Sequence, residues 1–548
     1  MQKYYNKHHT IYIKPFEAVL WYIENNLPVL GFKIPTFVHF ITCIIHAQIY
    51  SLFLYKMLRT LTIISLLFLI PQRLLSQILP KEGNILNYRL IGFSFPAAKP
   101  TVNYTIEIAS GHLIDESSFR KNIIKSFSCK TNKVILEVPN FGAQYTWRTI
   151  YTSGNSTTKN ALHHFSTGSI PEVDTSNIRL RITDTALNYK DAYVLLDGSK
   201  VMYDMKGNPV WYLPAIDNKT VMPRDLKVTV AGTITFVEAD AYEINYDGKV
   251  LWKAPDFNHI SGQPKESWHH EFTRLTNGNY MIYANEFLFC NMQPDSTMQI
   301  DYTNKAAEPK SVFGVLAEFD ASGKILWQWK SSGYFDKSDL KYYKSPDNKQ
   351  VVDILHENSF IFDEQNKLIY ISAKNLNRII KIKYPEGTIL NSYGENFYGG
   401  NTSLDNHLFC GQHSIRRSQD GNLYLFNNNG CHFDNNPTVI EFQEPNEPGG
   451  TLKKIWEYEC KSEGPAHKGL PSGGNVIELP DKSIFVYSPG AESTLFIVNK
   501  KKEILWRAVS EKYNEDDKKW YPLPNYRASI IFNRKDLEKL VWNSSKKR

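Results

Sequence analysis

The sequence predicts an all-β chain in which a six-bladed β-propeller follows a small β-sandwich. A polar turn, then an apolar pair and usually Trp, recurs six times: Asp204 to Trp211, Asp247 to Trp252, Asp320 to Trp327, Glu386 to Leu390, Leu452 to Trp456 and Lys502 to Trp506. The copies stand 41 to 75 residues apart, the spacing of four-stranded blades that carry loop insertions. Ahead of them the apolar residues alternate with period two, as half-buried strands require.

In chain order, the first segment is a leader and not part of the fold. Met57 and Arg59 precede an apolar run from Leu61 to Ile70, and Leu74-Leu-Ser76 ends on a small residue, which resembles a secretory signal peptide over 57–76. Upstream, Ile34 to Tyr55 is uncharged and long enough to span a bilayer, but it holds His39, His46 and Gln48. Met57 is therefore read as the start, with residues 1–56 a start-site artefact or, if real, an anchor. Either way the rest of the chain is expected outside the cytoplasm, periplasmic or secreted.

The sandwich is expected over 87–175. Val102, Tyr104, Ile106 and Ile108 alternate with polar residues, Tyr145, Trp147, Thr149 and Tyr151 repeat the pattern, and the ending His164-Phe-Ser-Thr-Gly resembles a fibronectin type III module. His163 and His164 are read as ordinary strand residues. The propeller is expected over 185–535, followed by a charged C-terminal tail at 536–548.

Composition bounds the function. A chain of 548 residues with 42% hydrophobic and 13% aromatic residues is too long for one small module and too apolar for global disorder. Net charge is +7, of which the first 76 residues supply +5 from seven Lys/Arg against two acids, so charge gives no reason to expect a nucleic-acid partner. Beyond Cys43, the cysteines 129, 290, 410, 431 and 460 form an odd set without CxxC spacing, compatible with one disulfide and requiring none.

A second register runs inside the repeats. His270 stands eight residues before Gly278 and His413 eight before Gly421, each ahead of an Asn/Asp-Gly hairpin. His356 precedes the related Gln365-Asn-Lys367 hairpin by about one more step, Arg224 falls eight before Gly232, and Gly474 eight before Lys482. If each hairpin joins the inner strands of a blade, three histidines and an arginine converge on one mouth of the channel, a setting for a small anion.

Trp268-His-His270-Glu-Phe272, His356-Glu-Asn358-Ser-Phe, Ser372-Ala-Lys374, Gly411-Gln-His413-Ser and Tyr526-Arg527-Ala528 together resemble the bacterial arylsulfotransferase family, in order, over roughly 185–535. The resemblance implies transfer of a sulfuryl group from an aryl sulfate donor to a phenolic acceptor, independent of 3′-phosphoadenylyl sulfate, by a ping-pong route through a sulfohistidine. It implies no cofactor and no metal. His413 matches the nucleophile, His270 and His356 match groups that hold the sulfuryl oxygens, and Asn358, Lys374, Arg527 and Arg224 are the expected substrate-binding residues. Lys374 stands where the family usually has Arg, a point charge in place of a fork. Neutral imidazole suits nucleophilic attack near pH 7, and positioned cations suit charge spread over sulfuryl oxygens.

Two other readings fit the same residues: a three-histidine metal site in a propeller enzyme, and a non-catalytic secreted binding or adhesion protein. Oligomeric state is left open, a homodimer included.

Overall fold

The computed structural model describes residues 78–543 apart from 98–102, 154–155, 170–176, 186, 257–258, 261, 263–265, 293–297, 302–309, 335–350, 354, 395–407, 431–434, 448–449, 462–472 and 490–492. The leader, Cys43 and Cys431 lie outside these residues.

The described chain is all-β, built mainly from antiparallel sheets. Each copy of the turn-and-Trp repeat forms the hairpin between the third and fourth strands of one sheet. Trp211, Trp252, Trp327, Leu390, Trp456 and Trp506 fall on Pro209–Tyr212, Val250–Lys253, Ile325–Lys330, Thr388–Gly394, Lys453–Glu459 and Ile504–Asn514.

The second to sixth sheets begin with the strands Arg224–Val228, Trp268–Arg274, Glu357–Asp363, His413–Arg417 and Asn475–Glu478. In each, the following strands pair in sequence order to the Trp or Leu strand. The first sheet takes its innermost strand from the far end of the chain: Ala528–Ile531 pairs with Tyr193–Leu196. Conversely Ile178–Asp184, placed by the sequence before the repeat region, pairs with Ile504–Asn514 in the sixth sheet. Both ends of the repeat region are thereby stitched across it, which leaves neither terminal sheet to stand alone.

The first strands of successive sheets lie against one another, and a bulge interrupts four of them where they begin, between Arg224 and Lys227, between His269 and Phe272, between Glu357 and Ser359, and between His413 and Arg416. A bulge takes a backbone N–H out of its ladder, and a buried N–H needs another acceptor. Side chains of the preceding sheet supply it. Asp225 N donates to Asp197, Phe272 N to Asp225, Phe360 N to Glu271, Ile415 N to Ser359 Oγ and Val476 N to Ser414 Oγ. Ala528 N donates to Asn475 Oδ1 at 2.9 Å, returning to the first sheet.

Farther out, Glu243 and Glu318, each directly opposite a repeat Trp, accept hydrogen bonds from the next sheet, Glu243 from Arg274 and Tyr280 and Glu318 from Tyr384. Glu441, opposite Trp456, takes Lys500 of the following sheet in the same way.

The segment before the sheets forms one sheet in the order Asn84–Leu86, His163–Thr167, Gln144–Ser153, Asn103–Ser110, Ile123–Cys129, beside the pair Leu90–Ser94 and Lys133–Glu137. One core joins it to the repeat region, with Phe93, Trp147, Trp211 and Phe236 in a single cluster. His164 is structural, its ring between Glu82 at 2.8 Å and the Leu113 carbonyl at 2.9 Å. The expected charged tail is instead a helix over Arg534–Asn543, because Leu537, Leu540 and Val541 share one face and are buried in that core. Cys410 is disulfide-bonded, whereas Cys129 and Cys460 are free. Among the described residues no helix is long and apolar enough to cross a membrane.

Asn475 closes the amide chain twice, since its Nδ2 also donates to the Ala528 carbonyl at 2.8 Å. Asn475→Ala is expected to lower stability by about 1–3 kcal/mol, read from the denaturant midpoint. A change below about 0.5 kcal/mol, the range of ordinary surface substitutions, would show that the closure does not need it.

Candidate functional site

The residue immediately before each side chain that accepts a neighbour's amide is fixed in direction. In the second to sixth sheets these residues are Arg224, His270, Asn358, His413 and Gly474. Four of the five are those the eight-residue register selects. The fourth sheet differs: its equivalent residue is Asn358, and His356 stands just before the strand, reaching the site from a left-handed backbone at φ 52°. Its hairpin turn spans Glu364 to Lys367, longer than the others, which explains the shifted count.

His270, also left-handed at φ 56°, meets His356 directly, Nε2 to Nε2 at 3.1 Å. One ring must donate and the other accept. His270 Nδ1 is buried with no hydrogen-bond partner in the protein, so the pair presents a polar atom awaiting a ligand. Burial, reinforced by the neighbouring His269 and His356, holds His270 well below its ordinary pKa.

His413 is 1% exposed. Its Nδ1 lies 2.6 Å from Asn428 Oδ1, and its Nε2 accepts the Gly473 N–H at 3.2 Å. Burial, and next the charge of Lys374, holds this imidazole well below its ordinary pKa. Lys374 is half-buried, with its backbone N–H on the His356 carbonyl.

Tyr526 stands between the histidines, its ring centroid 5.7 Å from that of His270 and 6.3 Å from that of His413. Its hydroxyl is buried without a partner, and burial pushes it up to about 12.

Two expected substrate contacts lie behind this surface. Arg527 is buried, with Nη1 on Asp225 at 2.9 Å and near Glu271 at 3.2 Å, and Nη2 on the Asn358 carbonyl at 2.7 Å. Asn358 donates its side chain to the Gln412 carbonyl at 2.6 Å. Arg416 and Lys227 complete the cluster on Glu271 and Asp225. Against burial, which alone would raise it, Arg416 and Arg527 hold Glu271 well below the carboxylate range. Arg527 thus acts on His270 and His413 through its charge. Arg224 is exposed, and its charge reaches Tyr526.

In the sequence Glu271 and Tyr526 stand out only as members of motifs, and no local pattern marks Asn428, Gly473 or Asp225. Glu271 was detectable beside His270, but Asn428 and Gly473 meet His413 only through tertiary packing. Among the described residues no group of three or more His, Cys, Asp or Glu side chains is placed to hold a metal ion.

The family model described as Arylsulfotransferase (ASST) matches residues 182–520. No curated protein matches the chain. Among solved structures, a protein of unknown function from Bacteroides caccae aligns at 12% identity and TM-score 0.36, covering 65% of this chain and 99% of its own. Apo AztD from Citrobacter koseri aligns at 8% identity and TM-score 0.30, covering 79% of this chain and 98% of its own.

Both depressed histidines stay neutral in the folded protein, while in the unfolded chain each takes up a proton near pH 6.5. The unfolded state therefore binds more protons as pH falls, and this contribution to stability, intact above about pH 7, is lost on acidification through about pH 6.5. Asp197, raised to about 7 by burial, acts in the opposite sense, so the measurement is a difference between proteins. His270→Gln is expected to reduce the stability lost between about pH 7.5 and about pH 5.5 by about 1 kcal/mol relative to the parent. Parallel pH curves in denaturant titration would show that His270 is not held neutral.

Proposed function

The chain belongs to the arylsulfotransferase family, and we propose that it transfers a sulfuryl group from an aryl sulfate to a phenol through a sulfohistidine at His413. The observation that carries this reading is a buried imidazole, kept unprotonated, with Lys374 and Arg527 acting on it as cations. A neutral nucleophile beside positive charge is what attack on a sulfate monoester requires.

In this mechanism Lys374 and the His270–His356 pair meet the sulfuryl oxygens, with the unpartnered Tyr526 hydroxyl a further donor. The nucleophile displaces the aryl oxygen, which leaves as phenolate and takes a proton from water. A phenolic acceptor then enters, loses its proton to the neutral His270 imidazole, and attacks sulfur to free His413. Arg527, Asp225 and Glu271 hold the floor of the site rigid, and no metal or cofactor enters these steps.

The six sheets are read as the blades of a six-bladed β-propeller with the histidines at one mouth of its channel, a reading supported by the sheet-to-sheet amide links that return to the first sheet. The N-terminal sheets are read as a fibronectin III-like sandwich, and the protein as exported to the periplasm or beyond.

Incubation with p-nitrophenyl sulfate and no acceptor, followed by intact-mass and peptide analysis, tests the class. One sulfuryl group on His413 is expected, and none in His413→Ala; absence of label in the parent, alongside tight binding of a glycan or protein, would select the non-catalytic reading. Lys374→Ala is expected to lower kcat/KM for small aryl sulfates about 100-fold, and Lys374→Arg to raise it by restoring a forked donor. If both variants match the parent, Lys374 does not meet the sulfuryl group.

A further inference from the structure

The neighbours of His413 determine which of its nitrogens can react. Asn428 is buried, and its Nδ2 donates to the Gly473 carbonyl at 3.2 Å. Its oxygen is therefore the atom that faces His413 Nδ1 at 2.6 Å, and an acceptor at that distance requires a proton on Nδ1. The other nitrogen, Nε2, accepts the Gly473 N–H and so holds the lone pair. Three hydrogen bonds close a ring in which every donor and acceptor is assigned.

Resting on the sulfohistidine reading above, we propose that Asn428, braced by Gly473, is the positioning residue that commits His413 to the Nδ1–H tautomer, so that Nε2 takes the sulfuryl group. As the Nε2–S bond forms, the bond from sulfur to the aryl oxygen breaks and its electron pair leaves with the phenolate. The Nδ1 proton stays on the ring, which becomes an N-sulfo imidazolium. Asn428 Oδ1 then accepts from a cationic N–H, a stronger bond than in the neutral ring. The Gly473 N–H, released from Nε2, is left beside the new sulfuryl group as a donor to one of its oxygens.

A neutral acceptor is suited to this step, because a carboxylate in its place would raise the basicity of the ring and cost it the lone pair. Lys374, His356 and Arg527 act on His413 by charge, and all three oppose its protonation; His270 is also coupled to it by charge and the Tyr526 ring lies against it. Asn428 and Gly473 add no charge.

Isotope-labelled histidine in the full chain, with long-range proton–nitrogen spectra, reads the tautomer without substrate, and single-turnover labelling with p-nitrophenyl sulfate reads the rate. The parent should carry its proton on Nδ1. Asn428→Ala should mix the tautomers and slow labelling about 100-fold. Asn428→Asp, nearly isosteric and so a guard against a folding defect, should move the acid limb of the rate–pH profile upward by about one pH unit or more, with rate regained at higher pH. A proton on Nε2 in the parent, or Asn428→Ala with tautomer and rate unchanged, overturns the proposal. Failure of the sulfohistidine reading looks different: the Nδ1–H tautomer is present and no label reaches His413, which overturns the transfer step while supporting the positioning.

Discussion

Buried amides at the centre of the six sheets have to find acceptors, and the way they do so sets everything nearer the site. A bulged strand gives up ladder hydrogen bonds, and water is not available there to replace them. The acceptor comes each time from a residue that itself sits where the neighbouring sheet begins: Asp225 for Phe272, Glu271 for Phe360, Ser359 for Ile415 and Ser414 for Val476. A residue bound in this way cannot rotate, and the residue before it is then fixed in direction. His270 and His413 are such residues. The strained backbone at His270 is held by these bonds, against a preference of about 1–3 kcal/mol for ordinary conformations.

Two of the acceptors carry charge, and that charge links the architecture to the chemistry. Asp225 and Glu271 bind Arg527, Lys227 and Arg416 in one buried cluster. A buried ion cluster adds little to stability once desolvation is counted, but here it holds Arg527 at both Nη atoms, while Nε has no hydrogen-bond partner in the protein. The cluster's excess of cations over carboxylates, together with Lys374, has two effects of the same origin. Burial, and after it the positive surroundings, keeps His270 and His413 unprotonated, and in the proposed reaction the same cations attract the anionic group to be attacked. A carboxylate beside His413 would serve neither end.

Much of this was legible in the sequence where it rested on local pattern. The turn-and-Trp repeat marked the fourth strand of every sheet, because a tight turn and an apolar strand are both short-range signals. The eight-residue register found Arg224, His270, His413 and Gly474, because the hairpins that follow them have one length. It misplaced the fourth sheet, where a longer turn makes Asn358 and not His356 the equivalent residue. The roles of Asn358 and Arg527 were not legible, since whether a polar side chain faces a ligand or a neighbouring carbonyl depends on the contacts of strands distant in the chain. The last helix was missed for another reason: Leu537, Leu540 and Val541 carry a helical period, but they are embedded among charges that suggested a solvated tail.

Gly473 shows how closely the parts are interlocked. Its backbone is left-handed at φ 84°, and a Cβ there would lie 2.4 Å from the Tyr526 carbonyl oxygen. Any side chain would therefore displace the segment that carries Tyr526 and Arg527, or displace itself from His413. The same carbonyl oxygen accepts the Gly474 N–H at 3.0 Å, which ties the approach to the sixth sheet to the strand that completes the first. The tautomer proposed for His413, the place of Tyr526 beside the two imidazoles and the return of the chain to its first sheet thus depend on one residue without a side chain. A substitution that disturbed the fold here would disturb the chemistry in the same step, because no flexible group lies between them to absorb the change.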